Sequence, residues 1–129
     1  MKNFMYKLIQ RGKPGVIGGG EKKYYAIPSY QGEATIDTLS KSIERFSTLS
    51  RTDIRAVLTA FVDVMEDHLA VGQIVRLDEL GSLKVHISSE GVEEADKFTA
   101  NNIKKAKIHF TPGLRLQNML KIMKYKKAE

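Results

Sequence analysis

From Ser50 to Gly72 large apolar side chains recur at helical spacing: Ile54, Val57, Leu58, Phe61, Val62, Met65 and Leu69. The pattern predicts a helix over Arg51–Leu69. Ser50 is positioned to accept a bond from a free amide of the first turn. Asp53, three residues on, favours the positive end of the helix. Gly72 marks its end. The stripe is wider than one neighbouring helix covers. In a chain of 129 residues, it calls for a second packing partner, and a partner subunit is the expected one.

The segments on either side supply further elements. Ile36, Leu39, Ile43 and Phe46 make one apolar face and predict a helix over Ala34–Phe46, broken at Ser47–Leu49. After Gly72 the period changes to that of strands. Ile74, Val75 and Leu77 form one run, and Leu83, Val85 and Ile87 alternate in the next. The connection is Asp78–Ser82, where Gly81 supplies a conformation that a side chain resists. Residues 89–102 are polar and poorly periodic. Strand character resumes over residues 103–110. Thr111, Pro112 and Gly113 then read as an N-cap, a first helical residue and a turn residue. The last helix is expected over Pro112–Lys124, with Leu114, Leu116, Met119, Leu120 and Met123 as its apolar contacts.

Ahead of this block, Phe4–Gln10 and residues 23–28 are strand candidates. Between them lies the glycine-rich loop Arg11–Lys22, and the two runs are expected to pair as a hairpin. The triple glycine is not a phosphate loop. It matches neither GxxxxGK[ST] nor GxGxxG, and no helix follows it directly. The expected division is an N-terminal extension, 1–32, and one domain, 33–129.

The charge is unevenly distributed. Residues 1–32 hold six Lys or Arg against one Glu, and residues 99–129 hold eight against one, while the stretch between is acidic. The whole chain carries +6. Basic ends fit nucleic acid or an anionic membrane, and they equally fit an ordinary basic protein surface. There is no cysteine, which excludes disulfides and thiolate metal sites. No apolar run is long enough for a membrane span, and the first residues lack the apolar region of a secretory signal.

From Thr48 onward the chain resembles the bacterial histone-like family of HU and integration host factor. TLSRTDIRAVLTAFVDVMEDHLAVGQIVRLDELGSLKV has that family's helix, turn and strand order. Leu80, Gly81, Ser82 and Leu83 match its GxGTF-like turn, with Glu79 in place of the first glycine. Phe110, Thr111, Pro112 and Gly113 resemble its FxPG entry to the C-terminal helix. Val85 to Phe110 spans nearly the length of its projecting arm. With the preceding helix, the resemblance covers about 90 residues. The basic extension lies outside the common domain.

The resemblance implies an α+β fold of the HU/IHF type. It is an intertwined homodimer with a helical base, a β saddle and projecting β arms that embrace the DNA minor groove. Here an N-terminal β hairpin would be added. The implied function is sequence-nonspecific, phosphate-dominated DNA binding by an architectural, nucleoid-associated protein of the bacterial cytoplasm. One departure bears on this. The family arm carries arginines and a wedging proline, whereas SSEGVEEADKFTANNIKKAK has neither. Glu90, Glu93, Glu94 and Asp96 cluster on its outgoing half. Carboxylates near phosphate weaken binding, and no proline offsets the cost of unstacking. Phe98 is the large apolar side chain nearest the tip, either a substitute wedge or an arm-packing residue. The competing expectation is an HU-fold structural or interaction module that has lost strong DNA binding and bending.

The candidate phosphate contacts are Arg76 and Lys84 on the saddle strands and Lys104, Lys105 and Lys107 on the returning strand. Arg115, Lys121 and Lys124 decorate the last helix. Alternation puts Lys105 and Lys107 on one face and Lys104 on the other. Lys126 and Lys127 read as a mobile basic tail. None of these supports base-specific readout, so RNA remains open beside duplex DNA. The extension's Lys7, Arg11, Lys13, Lys22 and Lys23 fit a second DNA-contacting arm, a cover for a sheet edge or a partner-binding hairpin. Tyr6, Tyr24, Tyr25 and Tyr30 fit base stacking or strand packing.

No catalytic constellation stands out. His86 and His109 are candidates to face each other across a sheet, but no further metal ligands accompany them, and no nucleophile elbow surrounds Ser82, Ser88 or Ser89. The expectation is a non-enzyme without cofactor or metal.

Overall fold

The computed structural model describes residues 2–13 and 15–128. Its elements run β1 (Phe4–Arg11), β2 (Lys23–Pro28), α1 (Ile36–Glu44), α2 (Arg51–Ala70), β3 (Val75–Arg76), β4 (Gly81–Ser89), β5 (Ile103–Pro112), α3 (Leu114–Ile122) and β6 (Tyr125–Lys127). The chain groups into two units. Thr35–Met119 form one, and the chain up to Ala34 joins the chain from Leu120 onward in the other. The sequence pattern assigns all of 33–129 to one domain; in the structure the residues from Leu120 onward group with the N-terminal segment.

In the central unit, α1 and α2 form a helix pair, each capped at its N-terminus by a side-chain hydroxyl. Thr35 caps α1 by accepting from the Thr38 amide at 3.3 Å. Ser50 caps α2 by accepting from the Asp53 amide at 3.1 Å. Glu44 reaches across the connection and accepts from the Arg51 amide at 2.7 Å. That carboxylate also complements the positive end of α2. Asp37 and Arg55 pair between the two helices. Ser40 and Ile54 are the buried residues of this contact, at 0% and 4% exposure.

Helix α1 is shorter than its sequence pattern. It stops at Glu44, and Phe46, expected on its apolar face, lies beyond the helix and is 89% exposed. The chain turns here because the Glu44 carboxylate is engaged at the start of α2.

The sheet of the central unit has the order β3-β4-β5, antiparallel throughout. Its turn is tighter than Asp78–Ser82, since β4 already begins at Gly81. The Leu77 amide donates to the Gly81 carbonyl at 2.7 Å, and Asp78 takes a positive φ of 48°. Strand β5 runs on through Pro112, which pairs with Gly81. Thr111 and Pro112 are thus strand residues and not the start of the last helix. At the final ladder position the missing amide of proline costs no bond. Helix α3 begins at Leu114, and its first carbonyl acceptor is Gly113, bonded to the Gln117 amide at 3.0 Å. It ends at Ile122, and beyond it the Lys124 carbonyl accepts from the Phe4 amide at 2.7 Å.

The other unit is a three-stranded sheet of order β2-β1-β6. Strands β1 and β2 form the expected hairpin, in register from Tyr6↔Pro28 to Arg11↔Lys23. Strand β6 has no counterpart in the sequence pattern. Lys126 and Lys127 do not form a free tail. They lie in a strand that pairs in parallel with β1, Phe4↔Tyr125 to Tyr6↔Lys127. The rings of Phe4 and Tyr125 meet edge to face, 6.2 Å apart at 73°, a geometry aromatic pairs favour. A three-residue strand of YKK has little periodic signal of its own, so only the tertiary pairing reveals it.

Candidate nucleic-acid interface

The register of β3-β4-β5 sorts its side chains into two chemically opposite faces. Ladder partners project on the same side, and neighbours along a strand alternate. One face carries Val75, Leu83, Val85, Ile87, Ala106, Ile108 and Phe110. The other carries Arg76, Ser82, Lys84, His86, Ser88, Lys105, Lys107, His109 and Thr111. The apolar face looks toward the C-terminal half of α2. Val62, Met65, Leu69 and Ala70 line an open cleft of about 440 Å³ together with Leu83, Val85 and Ile108. The polar face is therefore the one turned away from the helix.

On that face four cations are interleaved with serine and histidine partners. Arg76 lies opposite Ser82, Lys84 opposite His109, Lys107 opposite His86 and Lys105 opposite Ser88. No two cations sit directly across from each other, which avoids the like-charge penalty of a cross-strand pair. All four are exposed. Among the described residues none of the four has a carboxylate partner within ion-pair distance. A one-sided row of unpaired cations on one sheet face makes a positive surface that attracts anionic groups.

The other candidates are placed differently. The register shift between Ser88 and Ser89 leaves Lys104 unpaired as the extra residue of a bulge. Bulges re-aim side chains, and here the ammonium turns to the arm tip, 3.0 Å from Glu90 and 3.5 Å from the Asn101 carbonyl. Arg115 pairs with Glu79 at 3.0 Å and so ties the start of α3 to the β3–β4 turn. Lys121 lies in the last turn of α3, and Lys124 lies in the segment between α3 and β6. Both belong to the other unit. The sheet thus brings together Arg76, Lys84, Lys105 and Lys107, but not Lys104, Arg115, Lys121 or Lys124.

His86 and His109 do not face each other. His86 stands opposite Lys107 and His109 opposite Lys84, so the imidazoles are diagonal members of the cationic face. Strand alternation alone carried the signal that they belong with the lysines.

The arm tip is held by its own polar groups. The Glu90 amide donates to the Asn102 carbonyl at 2.8 Å, closing the hairpin. Asn102 donates to the Glu90 carboxylate at 3.3 Å and accepts from the Thr99 amide at 2.9 Å. Two short 3-10 turns, Ala95–Lys97 and Ala100–Asn102, replace a simple loop. Lys97 pairs with Glu94 at 3.3 Å. Glu90 and Glu94 are thus partly neutralised by lysines of the arm itself, whereas Glu93 and Asp96 have no ion-pair partner among the described residues. Among the described residues, no helix is long and apolar enough to cross a membrane.

A helix pair, a three-stranded ladder and a long arm closed by a polar tip, followed by a short helix, make up an HU-like arrangement within a mixed α+β fold. The chain belongs to the HU-HIG family, described as an HU domain fused to wHTH, Ig, or glycine-rich motif, whose model matches residues 3–127. The family match thus takes in the N-terminal strands as well as the central unit. A solved structure from Bacteroides vulgatus ATCC 8482, that of a candidate bacterial DNA-binding protein, is similar in fold. Its TM-score is 0.63 at 13% identity over 98% of this chain. The present chain spans 49% of that protein's chain. No curated protein matches the sequence.

Proposed function

We propose that the chain is a sequence-nonspecific DNA-binding protein of the architectural, nucleoid-associated kind, acting as a homodimer. The observation that carries the reading is the cationic ladder of Arg76, Lys84, Lys105 and Lys107 on the sheet face opposite α2. Its partners across the ladder are serines and histidines and none is a carboxylate, so the charge is available to phosphates. The HU-like family and the candidate DNA-binding neighbour point the same way. Interactions of this kind ignore base identity and weaken steeply with salt.

Dimerisation is supported by what one chain leaves uncovered. Val57, Phe61, Val62 and Val64 on α2 are 60%, 41%, 56% and 55% exposed. The cleft between α2 and the sheet is apolar and open. Compact bodies the size of the two units would expose roughly 8,000 Å² between them. The chain exposes 11273 Å². The excess is on the scale that obligate dimers bury. A second copy, with the same apolar faces, is the occupant that an isologous interface requires.

A second reading, an HU-fold interaction module without strong DNA binding, is favoured by Glu93 and Asp96 at the tip and by the absence of proline and arginine from the arm. Duplex affinity measured against salt, with two unrelated sequences and a matched RNA duplex, decides between them. Similar affinities for both DNA sequences with a steep fall in salt are expected. A folded protein that binds neither at low salt would establish the interaction module instead.

A further inference from the structure

The sheet β2-β1-β6 has a cationic face of its own. Register puts Lys7, Arg11, Lys23 and Lys126 on one side, together with Met5, Ile9, Tyr25 and Ile27. All four cations are exposed. Unlike the cations of the central ladder, two of them are directly opposed, since Arg11 pairs with Lys23 across the hairpin. Directly opposed residues have Cβ atoms about 5 Å apart, and like charges there destabilise the pair. Among the described residues no ion pair relieves any of the four. Beside them Lys13, Val16, Gly20, Glu21, Lys23 and Tyr25 line a recess of about 340 Å³, in which Glu21 is the one carboxylate.

An unrelieved cation pair is a cost in the free chain that a bound polyanion removes. A surface that raises its own electrostatic energy when empty is built to be occupied by negative charge. We propose that this face is a second duplex-DNA contact, in which Arg11 and Lys23 straddle backbone phosphates with Lys7 and Lys126 alongside. It rests on the DNA-binding reading above and extends it from the central ladder to a separate sheet. Contacts made to phosphates add affinity and salt dependence without sequence preference.

The test uses the full chain and a fluorescent duplex, with three variants compared across a salt series. R11Q/K23Q removes the opposed pair, K105Q/K107Q weakens the central ladder, and R11E places a carboxylate opposite Lys23. Leaving one phosphate without its cation lowers affinity roughly eightfold at 0.1 M salt and flattens the salt slope by about 0.9. R11Q/K23Q is expected to free about two phosphates per chain in this way, multiplicatively with K105Q/K107Q. R11E is expected to move two readouts in opposite directions: a higher melting temperature without DNA and a weaker affinity for it. A merely structural role for Arg11 would not produce that split. Wild-type affinity and slope in R11Q/K23Q, with weaker binding in K105Q/K107Q, would overturn this surface and leave the central one standing. A wild-type chain that binds no duplex would overturn both.

Discussion

Gly81 and Gly113 meet backbone to backbone where the β3–β4 turn abuts the end of β5. The Gly113 amide donates to the Leu80 carbonyl at 2.9 Å. A Cβ on Gly81 would lie 2.9 Å from the Gly113 nitrogen and would collide with the Thr111 carbonyl. A Cβ on Gly113 would collide with the Glu79 carbonyl. Gly81 also has φ +137°, a conformation side chains rarely adopt. These are the glycines of the LGS turn and the TPG segment, and the structure explains why both are needed. Gly81→Ala and Gly113→Ala are each expected to destabilise the protein by about 3 kcal/mol or more, through backbone collision that no rotamer change relieves. Chemical denaturation of each variant measures this. A destabilisation below about 1 kcal/mol would mean that the turn can slide off β5.

What the sequence disclosed here was the pair of motifs, not their contact. Local signals were strong wherever one element decides its own form. The stripe from Ile54 to Leu69 foretold α2, and Ser50 foretold its cap. Alternation correctly put Lys105 and Lys107 on one face. The boundaries that failed are those set by distant partners. Pro112 is a strand residue because Gly81 pairs with it, Phe46 leaves its helix because Glu44 caps α2, and YKK is a strand because β1 supplies the ladder. The Arg115–Glu79 pair is also invisible in sequence, since 36 residues separate the two.

Ser50→Ala tests the start of α2. It removes the hydroxyl that accepts from the Asp53 amide and is expected to cost about 1 kcal/mol. Glu44→Gln keeps a neutral acceptor for the Arg51 amide but removes the favourable charge at the helix end. Its expected cost is about 0.5 kcal/mol, shrinking as salt rises. Equal costs at low and high salt would remove the electrostatic part of that account.

Ser40 is fully buried on α1, and its hydroxyl has no hydrogen-bond partner among the described residues. The small side chain permits close helix approach, while the unpaired oxygen is a penalty. Ser40→Ala keeps the fit and deletes the oxygen, so it is expected to stabilise by about 1 kcal/mol. Ser40→Leu overfills the same contact and is expected to destabilise by roughly 1–3 kcal/mol. A destabilised Ser40→Ala would show that the hydroxyl finds a partner in the assembled protein.

The face of α2 bearing Val57 and Phe61 is the proposed dimer seam. For a chain that folds as a dimer, the melting temperature rises with protein concentration. Phe61→Lys places a charge in that seam and is expected to abolish the concentration dependence along with most of the stability. Sedimentation of the unmodified chain is the complementary measurement. A compact, stable monomer at micromolar concentration, with a melting temperature independent of concentration, would sink the dimer.

Lys84, Lys105 and Lys107 together test the central ladder. Each stands opposite a serine or histidine and has no carboxylate partner among the described residues, so replacing it with Gln removes charge without stranding a carboxylate. The triple variant is therefore expected to fold as before, which thermal melting would verify. With three fewer cations on phosphates per chain, the slope of log affinity against log salt should flatten by about 2.7 for each chain in contact, or about 5.4 for a dimer that engages both, and equally on unrelated duplexes, because phosphates are common to all. Arg115→Gln is the contrasting case. Its guanidinium is engaged with Glu79, so its removal should leave the slope nearly unchanged while slightly loosening the turn at Gly81. A larger slope change for Arg115→Gln than for the triple variant would shift the DNA track from the sheet face to α3.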